Sequence, residues 1–158
     1  GNVVVTGQFG HMLNFGTGWL DSHGTDLFLA KFTPSGTPVW VKALGGTWDE
    51  LPYGIAVDTG GNVVITGTFA GGTNLGGGPL LANAAAASDI FVAKYSPAGT
   101  HLWSQAFGTL GTNQGNAIAV DGTGNVVVTG LFAGADFGTG PLTSVGGYAD
   151  VFLFKRAP

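Results

Sequence analysis

Residues 61–67 read GNVVITG, and nearly the same string stands at 1–7 and at 124–130 as GNVVVTG. Three further strings recur around it at the same spacing of about 60 to 63 residues. DIFVAKYSPAGTHLW from Asp89 matches DLFLAKFTPSGTPVW from Asp26, and DVFLFK from Asp150 begins the same way. GIAVDTGGN from Gly54 matches AIAVDGTGN from Ala117, and NLGGG at Asn74 parallels NFGTG at Asn14 and DFGTG at Asp136. Self-similarity at a fixed period of this length marks a repeat architecture, in which each repeat is one supersecondary unit.

Each unit reads as four short strands. Strand one is expected at 55–58 and 118–121, and strand two at 2–9, 62–69 and 125–132. Strand three is expected at 26–32, 89–95 and 150–155, and strand four at 39–45 and 102–108. Their β-branched and aromatic residues favour strand over helix. LANAAAASD at 81–89 has helical propensity but is short. Glycine-bearing turns join strands one and two, and Pro-bearing turns join three and four. The other two connections of each unit read as long loops.

A half-wet sheet alternates apolar and polar residues, so the unbroken Val run of strand two implies cover on both faces. Small four-stranded sheets stacked face to face around an axis make a β-propeller; an open β-solenoid is the alternative. The expected fold is therefore all-β, in four-stranded antiparallel meanders. About two and a half blades of a larger or multi-chain propeller are expected: a partial blade at 1–52, a complete one at 53–114 and a partial one at 115–158. The chain starts at Gly1, inside a unit, and reads as a piece of something longer or a processed product. Isolated, such an arc would expose sheet edges and apolar faces, so further blades from the parent chain or from other chains are expected.

Together, IAVD-x-x-GNVVVTG and D-x-F-V-A-K-Y-S-P-x-G-x-x-x-W resemble the SBBP family of bacterial β-propeller repeats, over essentially the whole chain. The resemblance implies large secreted or surface-displayed bacterial proteins with no general assigned chemistry, and it carries no catalytic residue to transfer.

Composition narrows the function classes. Charged residues are 9% of the chain, the net charge is −4, and only five Lys and Arg are present. Nucleic-acid binding needs clustered cations, so it is not expected. No apolar run is long enough for membrane insertion. The absence of cysteine removes thiol chemistry. Asp26, Asp89 and Asp150 share one repeat position, Lys31, Lys94 and Lys155 another, and Asp58 and Asp121 a third. Charges repeated in this way read as framework, paired across strands or between blades. Asp58 and Asp121 are expected to accept turn N–H groups. Trp40 and Trp103, also repeated, read as packing aromatics, and His11, His23 and His101 as surface or loop residues. No catalytic residue, cofactor or metal site is assigned.

The two long connections of each unit fall at one end of the sheets, where binding residues usually reside. The candidates there are Trp19, Asp21 and His23; Trp48, Asp49 and Glu50; and Asn83, Asn113, Gln114 and Asn116. Trp with Asp, Glu, Asn and Gln suits stacking on a polysaccharide or contact with a protein. The favoured reading is a non-catalytic binding or adhesion scaffold, extracellular or at the cell surface. The alternatives are part of a polysaccharide hydrolase or lyase, which would need a carboxylate pair, or a self-assembling structural repeat.

Overall fold

In GNVVITG every position has a task that the fold makes visible. The computed structural model of the chain describes residues 1–83, 87–146 and 148–158. Gly61, at φ +78°, turns the chain out of the preceding strand, a conformation glycine adopts without steric cost. Asn62 clamps that turn: its N–H and its side-chain amide each donate to Asp58 at 2.8 Å. Val63 and Ile65 then face one neighbouring sheet while Val64 faces the other. The Thr66 hydroxyl donates to the Phe91 carbonyl at 2.8 Å. Gly67 is required because a Cβ there would stand 2.1 Å from the Leu51 carbonyl oxygen.

The first sheet contains β1 (Val3–Leu13), β2 (Leu20–Phe32) and β3 (Pro38–Gly46). The second contains β4 (Glu50–Val57), β5 (Val63–Ala70), β8 (Ser88–Tyr95) and β9 (His101–Phe107), paired in that order. The third contains β10 (Gln114–Val120), β11 (Val126–Phe132) and β14 (Asp150–Arg156). All pairings are antiparallel. No helix occurs among the described residues; of the helix-prone stretch at 81–89, residues 84–86 lie outside them. Strand one of the second and third units starts at Glu50 and Gln114, earlier than the repeat match suggests, so the connections that precede it are short.

The sheets stack face to face through two apolar seams. The first joins Leu27, Leu29 and Leu44 to Val63, Ile65, Phe91 and Tyr95. The second joins Val64, Ile90, Val92 and Phe107 to Val126, Val128 and Phe152. Each such side chain stabilises the stack by about 1.5–3 kcal/mol when fully buried. The middle sheet is thus covered on both faces, as its Val-Val-Ile run requires. On the outer sheets the equivalent positions are open: Val3 is 51% exposed where Val63 is sealed, and Val151 and Leu153 are 74% and 78% exposed where Leu27 and Leu29 are sealed.

The connection from strand two to strand three is not a loop. In the second unit it is a hairpin arm, β6 (Gly72–Asn74) and β7 (Pro79–Leu81); in the third it is β12 (Gly134–Asp136) and β13 (Pro141–Thr143). In the first unit β1 and β2 simply continue, past a bulge between Gly10 and Met12. The repeated Asn or Asp caps each tip: Asn74 Oδ1 accepts the N–H of Gly76 and Gly78, and Asp136 Oδ1 those of Gly138 and Gly140. Each arm crosses to the preceding sheet. Gly45 and Gly46 of β3 pair with Asn74 and Thr73, and Thr109 N–H donates to the Gly134 carbonyl at 2.7 Å. Behind the cap, Leu75 is driven into the first seam and Phe137 into the second. Phe15, their counterpart, packs on Phe28 and Phe32 over the open first face, with ring centroids 5.2 and 5.6 Å away.

The repeated charges resolve as pairs across strands of one sheet. Lys94 meets Asp58 at 3.1 Å and Lys155 meets Asp121 at 3.0 Å. Lys31 has no turn aspartate in its own sheet and donates to the Pro97 carbonyl of the next, as does Trp40 Nε1. Trp103 stacks under Arg156 at 4.1 Å.

Candidate functional site

At the end opposite the tight turns, β4 and β10 lie side by side as the inner strands of two adjacent sheets. Each carries a bulge, between Pro52 and Gly54 and between Gly115 and Ala117. A bulge re-aims a side chain. Here the bulged residues are Tyr53 and Asn116, and both are exposed. Tyr53 projects into a cleft that it lines with Asp49, Leu51, Phe69, Thr112 and Gln114. The cleft is apolar inside and polar at its rim, the usual composition of a site that takes a ligand group and orients it. Asp49 is fixed from the first sheet, because Thr25 N–H donates to its Oδ1 at 3.2 Å.

A second, more polar recess lies between β2 and the tip of the β6–β7 arm, lined by Asp21, His23, Asp26 and Asn74. Trp19, in the turn before β2, and Trp48 are 68% and 53% exposed. Trp48 is held against the backbone at Gly71, where a Cβ would stand 2.4 Å from its ring.

The sequence-based candidates therefore divide. Asp49 and Gln114 share the cleft, Asp21 and His23 share the recess, and Trp19, Trp48 and Asn116 stand exposed around them. Glu50 and Asn113 are not available to a ligand: both are completely buried and occupy one repeat position at the two seams. Asn113 is a staple. Its amide donates to the Ser88 and Leu110 carbonyls and to Asp89 Oδ1, and its oxygen accepts the Ala133 and Gly134 N–H groups. Asn83 is also structural, donating from its backbone N–H to Asp89 Oδ2 at 2.9 Å. His101 is half-buried rather than superficial; its ring meets Tyr95 edge-on at 5.8 Å, and burial lowers its pKa.

Glu50 replaces the neutral staple with an acid. Burial pushes its pKa up to about 7; the Gly46 N–H, which donates to Oε2, opposes the rise, and Asp26 and Asp49 add to it. Burial also raises Asp26. No group of three or more His, Cys, Asp or Glu converges as a metal site among the described residues. No described helix is long and apolar enough to cross a membrane.

Tyr53, Leu51 and Thr112 escaped the sequence reading. One signal was present: Tyr53 and Asn116 occupy the same repeat position just inside strand one, so a single exposed bulge serves both.

No family model matches the chain. It is 28% identical over 120 residues to an uncharacterized WD repeat-containing protein of Acanthamoeba polyphaga mimivirus. The match covers 69% of this chain and 9% of the viral protein's length. WD repeats form four-stranded propeller blades, the unit seen here. The three sheets are propeller blades. The narrower resemblance to SBBP repeats has no matching family model beside it.

Proposed function

We propose that this chain supplies consecutive blades to a larger propeller that works as a non-catalytic binding scaffold, and that the cleft between β4 and β10 takes a segment of a protein partner. The observation that carries this reading is the bulge that turns Tyr53 out of its strand into an apolar cleft rimmed by Asp49, Thr112 and Gln114. An aromatic anchor beside an apolar hollow suits a protruding side chain, and the polar rim suits the peptide groups on either side of it. The open outer faces, apolar where the inner ones are sealed, support completion of the ring by further blades of the parent chain or of other chains. A site outside the cell or at its surface accords with the few cations and the SBBP-like motifs.

The test is selection of binders from a random displayed-peptide library on the chain, run beside a glycan array. Tyr53→Ala, Gln114→Ala and Trp48→Ala are the counter-screens. Peptides whose affinity falls at least about tenfold with Tyr53→Ala, the range for a hot-spot residue, support the proposal. Peptide binding indifferent to Tyr53, or signal on glycans alone that depends on Trp48, overturns it in favour of an unrelated surface or a polysaccharide.

A further inference from the structure

At one repeat position the two blade seams bury different polar groups. At the second, Asp89 is surrounded by donors: Asn113 reaches its Oδ1, and Asn83 its Oδ2. At the first, the counterpart of Asp89 is Asp26, 5% exposed, and the counterpart of Asn113 is Glu50, 0% exposed. The two carboxylates flank one glycine: a Cβ on Gly45 would stand 2.5 Å from Glu50 Oε2 and 2.8 Å from Asp26 Oδ1. Asp26 Oδ1 and Glu50 Oε1 are both buried without a hydrogen-bond partner. Glu50 Oε2 accepts from Gly46 N–H at 3.2 Å, where β3 receives the β6–β7 arm.

We propose that Asp26 and Glu50 form a proton-operated lock across the first seam: sharing one proton they close it as Asn113 closes the second, and losing that proton they repel and loosen the arm from β3. A protonated Glu is close in shape to Gln and donates one hydrogen bond, so it restores the donor that Asn113 supplies. Two carboxylates this close resist ionising together. The groups facing the pair are Asp21, Asp49 and His23, with the Thr73 hydroxyl from the arm. Neither ion pair of the described residues involves any of them. Deprotonation breaks only the O–H bond and releases the proton to water. A raised carboxyl pKa means that the folded chain holds the proton more tightly than the unfolded one. The stabilisation is thus complete below the ordinary Glu range and lost as pH rises through about 7.

Glu50 is the single glutamate of the chain, so selective carboxyl-13C labelling gives one resonance. Its titration midpoint is expected near 7, with the Gly46 amide following the same curve and the Ala133 amide, at the second seam, unmoved. In urea, the folding constant is expected to fall on the order of fiftyfold from pH 5 to pH 8. Glu50→Gln removes that component, and Asp26→Asn, which turns the neighbour into a donor, lowers the Glu50 midpoint. A midpoint in the ordinary range of about 4.3, or a pH dependence that survives Glu50→Gln, overturns the lock. So does restoration of the pH 5 stability at pH 8 by added Ca²⁺, which would make the pair a cation site. Should Glu50→Gln fail to fold, the wild-type resonance and the Asp26→Asn shift still decide.

Discussion

Leu75→Ala tests whether the arm is part of the seam or an ornament on it. Leu75 is fully buried among Leu27, Leu29, Phe91 and Tyr95 in the first seam. Truncation removes three carbons, about 0.8 kcal/mol each in transfer free energy, and leaves a cavity. Little collapse is available, because the Tyr95 hydroxyl donates to the Leu75 carbonyl at 2.9 Å and Asn74 fixes the tip. The expected cost is therefore about 3–4 kcal/mol, near the middle of the Leu→Ala range and a large fraction of a typical domain's stability. Equilibrium urea unfolding should show a lower midpoint with an unchanged slope. Phe15→Ala is the internal comparison. Phe15 sits at the same repeat position but on the open face, half-buried against two rings, so its loss should cost roughly half as much or less. A Leu75→Ala cost under about 1 kcal/mol, or one no greater than that of Phe15→Ala, would refute the argument that the arm's tip is a core element.

Two further substitutions test the framework. Asp58→Asn leaves Lys94 buried without its counter-charge, since both side chains are under 10% exposed, and should cost about 3–5 kcal/mol. Burial raises the Asp58 pKa, but the Asn62 donors and Lys94 outweigh it and hold the group below the ordinary Asp value. Its contribution is thus present at neutral pH and lost as pH falls through the lowered value; acid titration of stability should be shallower in Asp58→Asn than in wild type. Gly67→Ala should destabilise strongly in thermal unfolding, its Cβ meeting the Leu51 carbonyl oxygen at 2.1 Å, while Gly10→Ala, with nothing within 4 Å, should be close to neutral.

The strands and tight turns were legible because they repeat and because each depends on local chemistry: Asp58 and Asn62 close a hairpin whatever surrounds it. The arms were harder to see. β6 and β12 are three residues each, too short for any periodicity, and what stabilises them is pairing with the previous blade and an apolar tip buried in a seam. Their trace in the sequence was the Asn or Asp ahead of alternate glycines. Glu50 and Asn113 looked like ligand-facing loop residues because polarity alone cannot separate a wet polar group from a buried one. Their shared repeat position was the clue to a framework role. The cleft around Tyr53 depends on β4 lying beside β10, a relation between units that no single unit encodes.

The arms point one way only. Each is made later in the chain than the blade it clasps: β6 is synthesised after β3, and Gly134 after Thr109. On the ribosome, a blade that has fully emerged therefore still lacks the strand pairing and the buried Leu75 or Phe137 that close its outer edge. Those arrive only with roughly the first 25 residues of the next repeat, at synthesis rates of about 5–20 residues per second. Until then its Leu27 and Leu29, or Ile90 and Val92, face water. Translation pauses placed inside a repeat before its arm would prolong the exposure more than pauses placed after it. Codon speed along each period, rather than the sequence of any one blade, then sets how long the growing array is open to aggregation.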